Sequence, residues 1–136
     1  ASYLPYFLKI SVVGNSQTIS VIKEEIEIAA EGFFAKKYQP EFQQNPDARL
    51  WIGTIESVPA NLQAAWKSEL SQITEEGYWI KSQAGRLYII GKTDKGLLYG
   101  TFGFLKAVQT RTPLDGFEIL ENPKIQLRLL NHWDNL

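Results

Sequence analysis

The residues most suited to chemistry stand at the end of the chain, in Arg128-Leu129-Leu130-Asn131-His132-Trp133-Asp134-Asn135. Five of these eight side chains hydrogen-bond readily, and Trp133 adds a large aromatic. They close a run, Lys124 to Leu130, that reads as extended. A barrel enzyme places polar and aromatic side chains at the C-terminal ends of its strands, where its active face lies. Composition alone favours a frayed terminus.

Other candidates carry less. Paired carboxylates are the usual means of cleaving a glycosidic bond, and the chain has Glu24, Glu25, Glu27 and Glu31 close together, with Glu75-Glu76 further on. The first four fall on the polar side of an amphipathic helix, and nothing near them in sequence supplies the apolar pocket that raises a carboxyl pKa for acid catalysis. No catalytic residue is expected in this chain. His132 is the single histidine and there is no cysteine, so neither a metal cluster nor a thiol nucleophile is expected, and no cofactor. Gly91-Lys92-Thr93 suggests a phosphate loop, but the glycine required five residues earlier is Arg86. A turn capping the following helix fits better. Trp51, Trp66, Tyr78 and Trp79 could stack on a sugar; their spacing favours core packing, with Tyr78 or Trp79 as the exposed exceptions.

The elements that would position these groups follow from periodicity. Phe7 to Val13 reads as a strand, and Gly14-Asn15-Ser16 as a turn with a helix N-cap. From Thr18 to Lys37, Ile19, Ile22, Ile26, Ala29, Ala30 and Phe33 recur at helical spacing. Tyr38 to Ala48 holds Pro40, Asn45, Pro46 and Asp47 and reads as surface loop. Arg49 to Glu56 is a nearly continuous apolar run, as in a strand covered on both faces. Leu62 to Ile73 forms a shorter helix. Gly77 to Ser82 and Arg86 to Ile90 make a hairpin around Gln83-Ala84-Gly85. A third helix carries Leu97, Leu98, Thr101, Phe102, Leu105 and Val108 on one side, and its Gly96, Gly100 and Gly103 imply close packing. Phe117 to Leu120 is a last short strand before Asn122-Pro123. The order implies an α/β (α+β) fold, a single mixed sheet with helices packed on it.

At 136 residues the chain suits one domain with a true core. Fourteen basic and fifteen acidic residues, well mixed, give a net charge of -1 and no footprint for nucleic acid or anionic membrane. Neither a membrane span nor a secretion signal is expected from the sequence, and without an initiator methionine the chain reads as a fragment or mature product. Cytosol and periplasm suit it equally.

Leu127-Arg128-Leu129-Leu130-Asn131-His132-Trp133-Asp134-Asn135-Leu136 resembles the segment that opens the catalytic barrel of glycoside hydrolase family 67, the α-glucuronidases. Gly14-Asn15-Ser16 with the Lys23-Glu24-Glu25 helix resembles that family's N-terminal domain, as does Gly77-Tyr78 through Gly91-Lys92 to Gly96-Leu97-Leu98-Tyr99-Gly100. The latter stretch is also similar to the accessory domain of family 20 β-hexosaminidases. The resemblance implies a β-N-acetylhexosaminidase-like accessory domain over residues 1–124. Residues 125–136 would then begin the first strand of a (β/α)8 barrel.

For the parent it implies metal-free, inverting hydrolysis of the α-1,2 bond between (4-O-methyl-)glucuronic acid and the terminal xylose of xylo-oligosaccharides. Its catalytic carboxylates would lie beyond Leu136. Trp133 matches an aromatic that packs on the uronic acid, with His132 and Asp134 as polar neighbours. The implied partners are the chain's own barrel and glucuronoxylan oligosaccharides, with homo-oligomerisation of the parent left open. A hexosaminidase-type accessory domain and a free-standing carbohydrate-binding or interaction domain are the alternatives.

Overall fold

Isoleucines at spacings of three and four decide the first long helix, α2 (Gln17–Phe33), along which Ile19, Ile22, Ile26 and Ala30 are buried. Ser16 caps it as the sequence implies, its Oγ accepting a hydrogen bond from the Ile19 amide at 3.2 Å. This computed structural model describes residues 3–34, 40–42 and 48–123. Ahead of α2, one helical turn, α1 (Pro5–Leu8), leads into β1 (Lys9–Val12). Phe7 and Leu8 are thus helical where the sequence suggests strand. Pro5 suits the first helical position, and Phe7 anchors the turn among the rings of Phe33, Phe34 and Phe104.

The stretch read as loop holds a two-residue strand, β2 (Glu41–Phe42), parallel to β1. The open edge of β1 accepts this short pairing, and Phe42 packs against the core. β3 (Leu50–Thr54) follows, then a 3-10 turn at Ile55–Ser57, which ends the strand short of Glu56. The shorter helix is broken in two, α3 (Ala60–Ala65) and α4 (Lys67–Ser71). The break falls at Trp66, whose indole is edge-on to both Trp79 and Tyr88, at 5.1 and 5.2 Å between ring centroids. Trp66 at the break and Leu70 beyond it both lie against the sheet.

β4 (Tyr78–Gln83) and β5 (Arg86–Gly91) form the expected hairpin. Both turn residues have positive φ, 52° at Ala84 and 78° at Gly85, as a two-residue turn matched to strand twist requires. α5 (Asp94–Gln109) and β6 (Glu118–Glu121) complete the fold. The sheet order is β2-β1-β3-β5-β4-β6, parallel from β2 to β5 and antiparallel at β4 and β6. The extended reading of 124–130 lies outside the described residues.

Strand alternation sorts the core into two clusters. Ile10, Val12, Leu50, Ile52, Ile80, Leu87 and Ile89 meet α2 and α5 on one face, while Trp51, Trp79, Tyr88 and Ile90 meet α3 and α4 on the other. The helices therefore cover both faces. β3 lies inside the sheet with residues from each cluster, as its uninterrupted apolar run implies.

The α5 glycines do face close neighbours. A Cβ at Gly100 would stand 2.7 Å from Ile89 Cγ2 and 3.1 Å from the Tyr78 ring; at Gly103 it would meet the Tyr78 hydroxyl, and at Gly96 the Gly77 carbonyl oxygen. Nothing lies within 4 Å of a Cβ placed at Gly32 in α2. Gly100→Leu is accordingly expected to destabilise the domain by at least about 1–3 kcal/mol through overpacking. Gly32→Ala should stabilise it by about 0.5–1 kcal/mol through helix propensity. Urea denaturation of both variants checks this, and equal midpoints would contradict the packing account.

Candidate functional site

Trp133, His132 and Asp134, the residues matched to sugar contact, lie outside the described residues, as does the whole of 125–136. The other sequence candidates are placed. Glu24 and Glu27 share an open depression on the outer side of α2 with Lys23, a solvated surface. Glu76 is nearly buried and pairs with Lys95 at 2.9 Å, while Glu75 is exposed and its backbone oxygen accepts from Thr93 Oγ1 at 2.6 Å.

Thr93 also accepts from the Gly96 amide at 3.3 Å, so Gly91-Lys92-Thr93 is the helix cap that the failed phosphate-loop spacing suggests. The tryptophans are structural. Trp51, Trp66 and Trp79 are all buried, and Trp79, 1% exposed, corrects the reading that left it open to solvent; its indole N–H donates to Glu118 at 3.1 Å. Tyr78 is half-buried against Gly100 and Gly103. No sugar platform arises on that face. Among the described residues no group of three histidine, cysteine or acidic side chains is placed to hold a metal ion.

α2 and α5 run parallel. Their N-terminal ends are tied by a 2.6 Å hydrogen bond from Ser16 Oγ to Asp94 Oδ2, and their C-terminal ends flank a cleft of about 440 Å3 that Tyr3, Phe33, Phe34 and Arg111 help to line. This is the candidate binding feature, and among the described residues no carboxylate lines it. Sequence reading missed it because Tyr3 and Arg111 are 108 positions apart and meet only once the sheet has formed.

At the opposite pole, Asn122 clasps the edge of the sheet. Its side-chain oxygen accepts from the Thr74 amide at 3.0 Å and the Thr74 hydroxyl at 3.1 Å, and its amide donates to the Gln72 carbonyl at 2.8 Å. The chain leaves the described structure beside this clasp, at Pro123.

The sequence that builds most of this sheet, with α2 and most of α5, matches a known family. Its model, described as the glycosyl hydrolase family 67 N-terminus, covers residues 2–104. The chain belongs to that family. Alpha-glucuronidase A of Emericella nidulans is 26% identical to the family 67 domain over 113 residues, 82% of this chain and 13% of that protein. The alpha-glucuronidase of Hypocrea jecorina is 36% identical over 64 residues, 47% of this chain and 7% of its own length. The chain thus spans only a small part of the curated relatives it matches.

Among solved structures, a family GH115 4-O-methyl-α-glucuronidase with specificity for decorated arabinogalactans superposes with a TM-score of 0.65 at 14% identity, covering 85% of this chain and 17% of that one. A GH138 enzyme targeting pectin rhamnogalacturonan II gives 0.57 at 14%, covering 85% and 15%. These two share the fold of the family 67 domain, with its mixed sheet and helices.

Packing against α5 has one electrostatic signature in the family 67 domain. Burial, and then the Glu121 carboxylate across the strand pair, raise the Tyr78 pKa above its ordinary value of 10.0. The folded state holds the Tyr78 proton more tightly than the unfolded state does. Its contribution is therefore fully present below pH 10 and is lost as pH rises through the folded pKa. Stability should fall above about pH 10 in the wild type and fall less steeply in Tyr78→Phe. Urea midpoints at about pH 9 and 11 test it; parallel losses would remove Tyr78 from the account.

Proposed function

We propose that this chain is the non-catalytic N-terminal accessory domain of an α-glucuronidase that removes (4-O-methyl-)glucuronic acid from xylo-oligosaccharides with inversion. The family match over residues 2–104 carries this reading, together with relatives named alpha-glucuronidase of which the chain spans 13% or less. Inverting hydrolysis needs two carboxyl groups roughly 6.5–9.5 Å apart across a bound sugar. The described lining of the cleft offers none, and the Glu24–Glu27 depression is open surface shared with a lysine.

Residues 1–136 alone should release no glucuronic acid from aldouronic acids. The complete parent should release it, with the β-anomer as first product by NMR. Release by the isolated chain would overturn the accessory role, and an inactive parent would overturn the glucuronidase reading.

Trp133 is proposed to pack on the uronic acid in the parent, with His132 and Asp134 beside it, because an indole face excludes water from a sugar ring. Trp133→Ala is expected to lower kcat/KM of the parent by roughly 10- to 100-fold, as losing a buried aromatic anchor does, and to leave the melting of residues 1–136 unchanged. A variant with intact kinetics and an unfolded isolated chain would make Trp133 a core residue instead.

A further inference from the structure

We propose that the cleft between the C-terminal ends of α2 and α5 is a second carbohydrate site, binding an uncharged pyranose unit of the xylan backbone. Its volume, about 440 Å3, falls among small-molecule sites, roughly 300–1,000 Å3. Phe33 gives it an aromatic surface 37% exposed, with the ring held by edge contacts to Phe7 and Phe34, each at 6.1 Å. A fixed, partly exposed ring suits the apolar C–H face of a pyranose.

Arg111 supplies the polar side. It sits at φ 60°, in the left-handed region, one residue past the Thr110 cap of α5. Its amide donates to the Val108 carbonyl at 3.0 Å and the Thr112 amide to the Ala107 carbonyl at 2.8 Å. This is the helix-ending loop in which glycine is the usual residue, because a side chain there is strained. Strain of that kind accumulates where the side chain is used. The Tyr3 hydroxyl, donating to the Thr112 carbonyl at 2.8 Å, holds the turn that carries Arg111 over the cleft. No carboxylate among the described residues pairs with its guanidinium.

Electrostatics favour a neutral ring. Two helix C-termini converge here, each with about half a negative charge, and together they offset the Arg111 guanidinium and leave little net charge to hold an anion. The carbonyls of Lys106, Ala107 and Val108 already accept from the residues that cap α5, so Arg111 and Gln109 supply the polar contacts, donating to ring and hydroxyl oxygens. The site is also remote from the exit of the chain. Pro123 follows the Asn122 clasp, which holds Thr74 and borders Gly77; Gly77 in turn packs on Gly96 near the start of α5. The cleft is thus about 20–24 Å away along that helix.

The choice of xylose over other neutral pyranoses rests on the function proposed above. Titration of residues 1–136 with xylotetraose, cellotetraose and sodium glucuronate, followed by calorimetry and amide shifts, tests it. Xylotetraose should bind with a Kd on the order of 1 mM, glucuronate at least about ten-fold more weakly, and the shifts should centre on Phe33 and Arg111. Arg111→Gly should melt no lower than wild type, since glycine fits the turn, yet bind about ten-fold more weakly; Arg111→Lys should recover part of the loss. No binding at about 50 mM sugar, unchanged affinity in Arg111→Gly, or a preference for glucuronate would each overturn the proposal. Binding of cellotetraose alone would overturn the xylan assignment. An inactive parent enzyme would leave these isotherms unchanged, so the two readings fail separately.

Discussion

Helix α5 lies closer to the hairpin than a helix with side chains at Gly96, Gly100 and Gly103 could lie: the Tyr78 ring occupies the space left at Gly100 and Gly103, and the Gly77 backbone that left at Gly96. With a helix pressed onto the hairpin, Leu97, Phe104, Ala107 and Val108 reach the same layer as Ile80, Leu87 and Ile89. That depth lets α2 pack alongside, its N-terminal end tied to α5 through Ser16 and Asp94. Buried Thr101 adds no unmet polar group, since its hydroxyl donates back to the Leu97 carbonyl at 2.9 Å. A conventional helix spacing would open a gap along this whole face, and voids in a core are costly.

The opposite face solves a different problem. Two helices of six and five residues have too few turns to be stable by propensity. They hold because Trp66, Leu70 and Ile73 drop onto Trp51, Trp79 and Tyr88. Three of the four aromatic residues that suggested a sugar platform, Trp51, Trp66 and Trp79, are the mortar of this layer. Trp79 lies in it with its indole N–H satisfied by Glu118, which also pairs with Lys81 at 3.3 Å.

What the sequence disclosed follows the range of the forces involved. α2, α5 and the hairpin are set by local periodicity and turn chemistry, and their positions and caps were legible from Ile19, Ile22 and Ile26, from Ser16, and from Gly85. The three glycines of α5 announced a close approach without saying to what. Tertiary contacts set the rest: α1 forms because Phe7 has rings to pack on, β2 because β1 has an open edge, and the bend at Trp66 because its indole packs on Trp79 and Tyr88. Family membership was legible from spaced Gly and Tyr motifs. The aromatic cleft was not, since Tyr3, Phe33 and Arg111 share no local pattern. The terminal motif around Trp133 was readable as chemistry but falls outside the described residues.

The clasp at Asn122 bears on the order in which the chain assembles. β4, β5 and α5 are contiguous in sequence and make mostly local contacts, whereas β1, β3 and β5 pair in parallel across long separations, which is the slower kind of closure. β6 joins last along the chain and rests on an edge that exists only once β4 is in place. Asn122 bridges back to Gln72 and Thr74, groups presented together only after α4 has docked. Asn122 and Pro123 are therefore placed by contacts that the rest of the domain has already brought together, so this corner of the fold closes after the sheet and not before it.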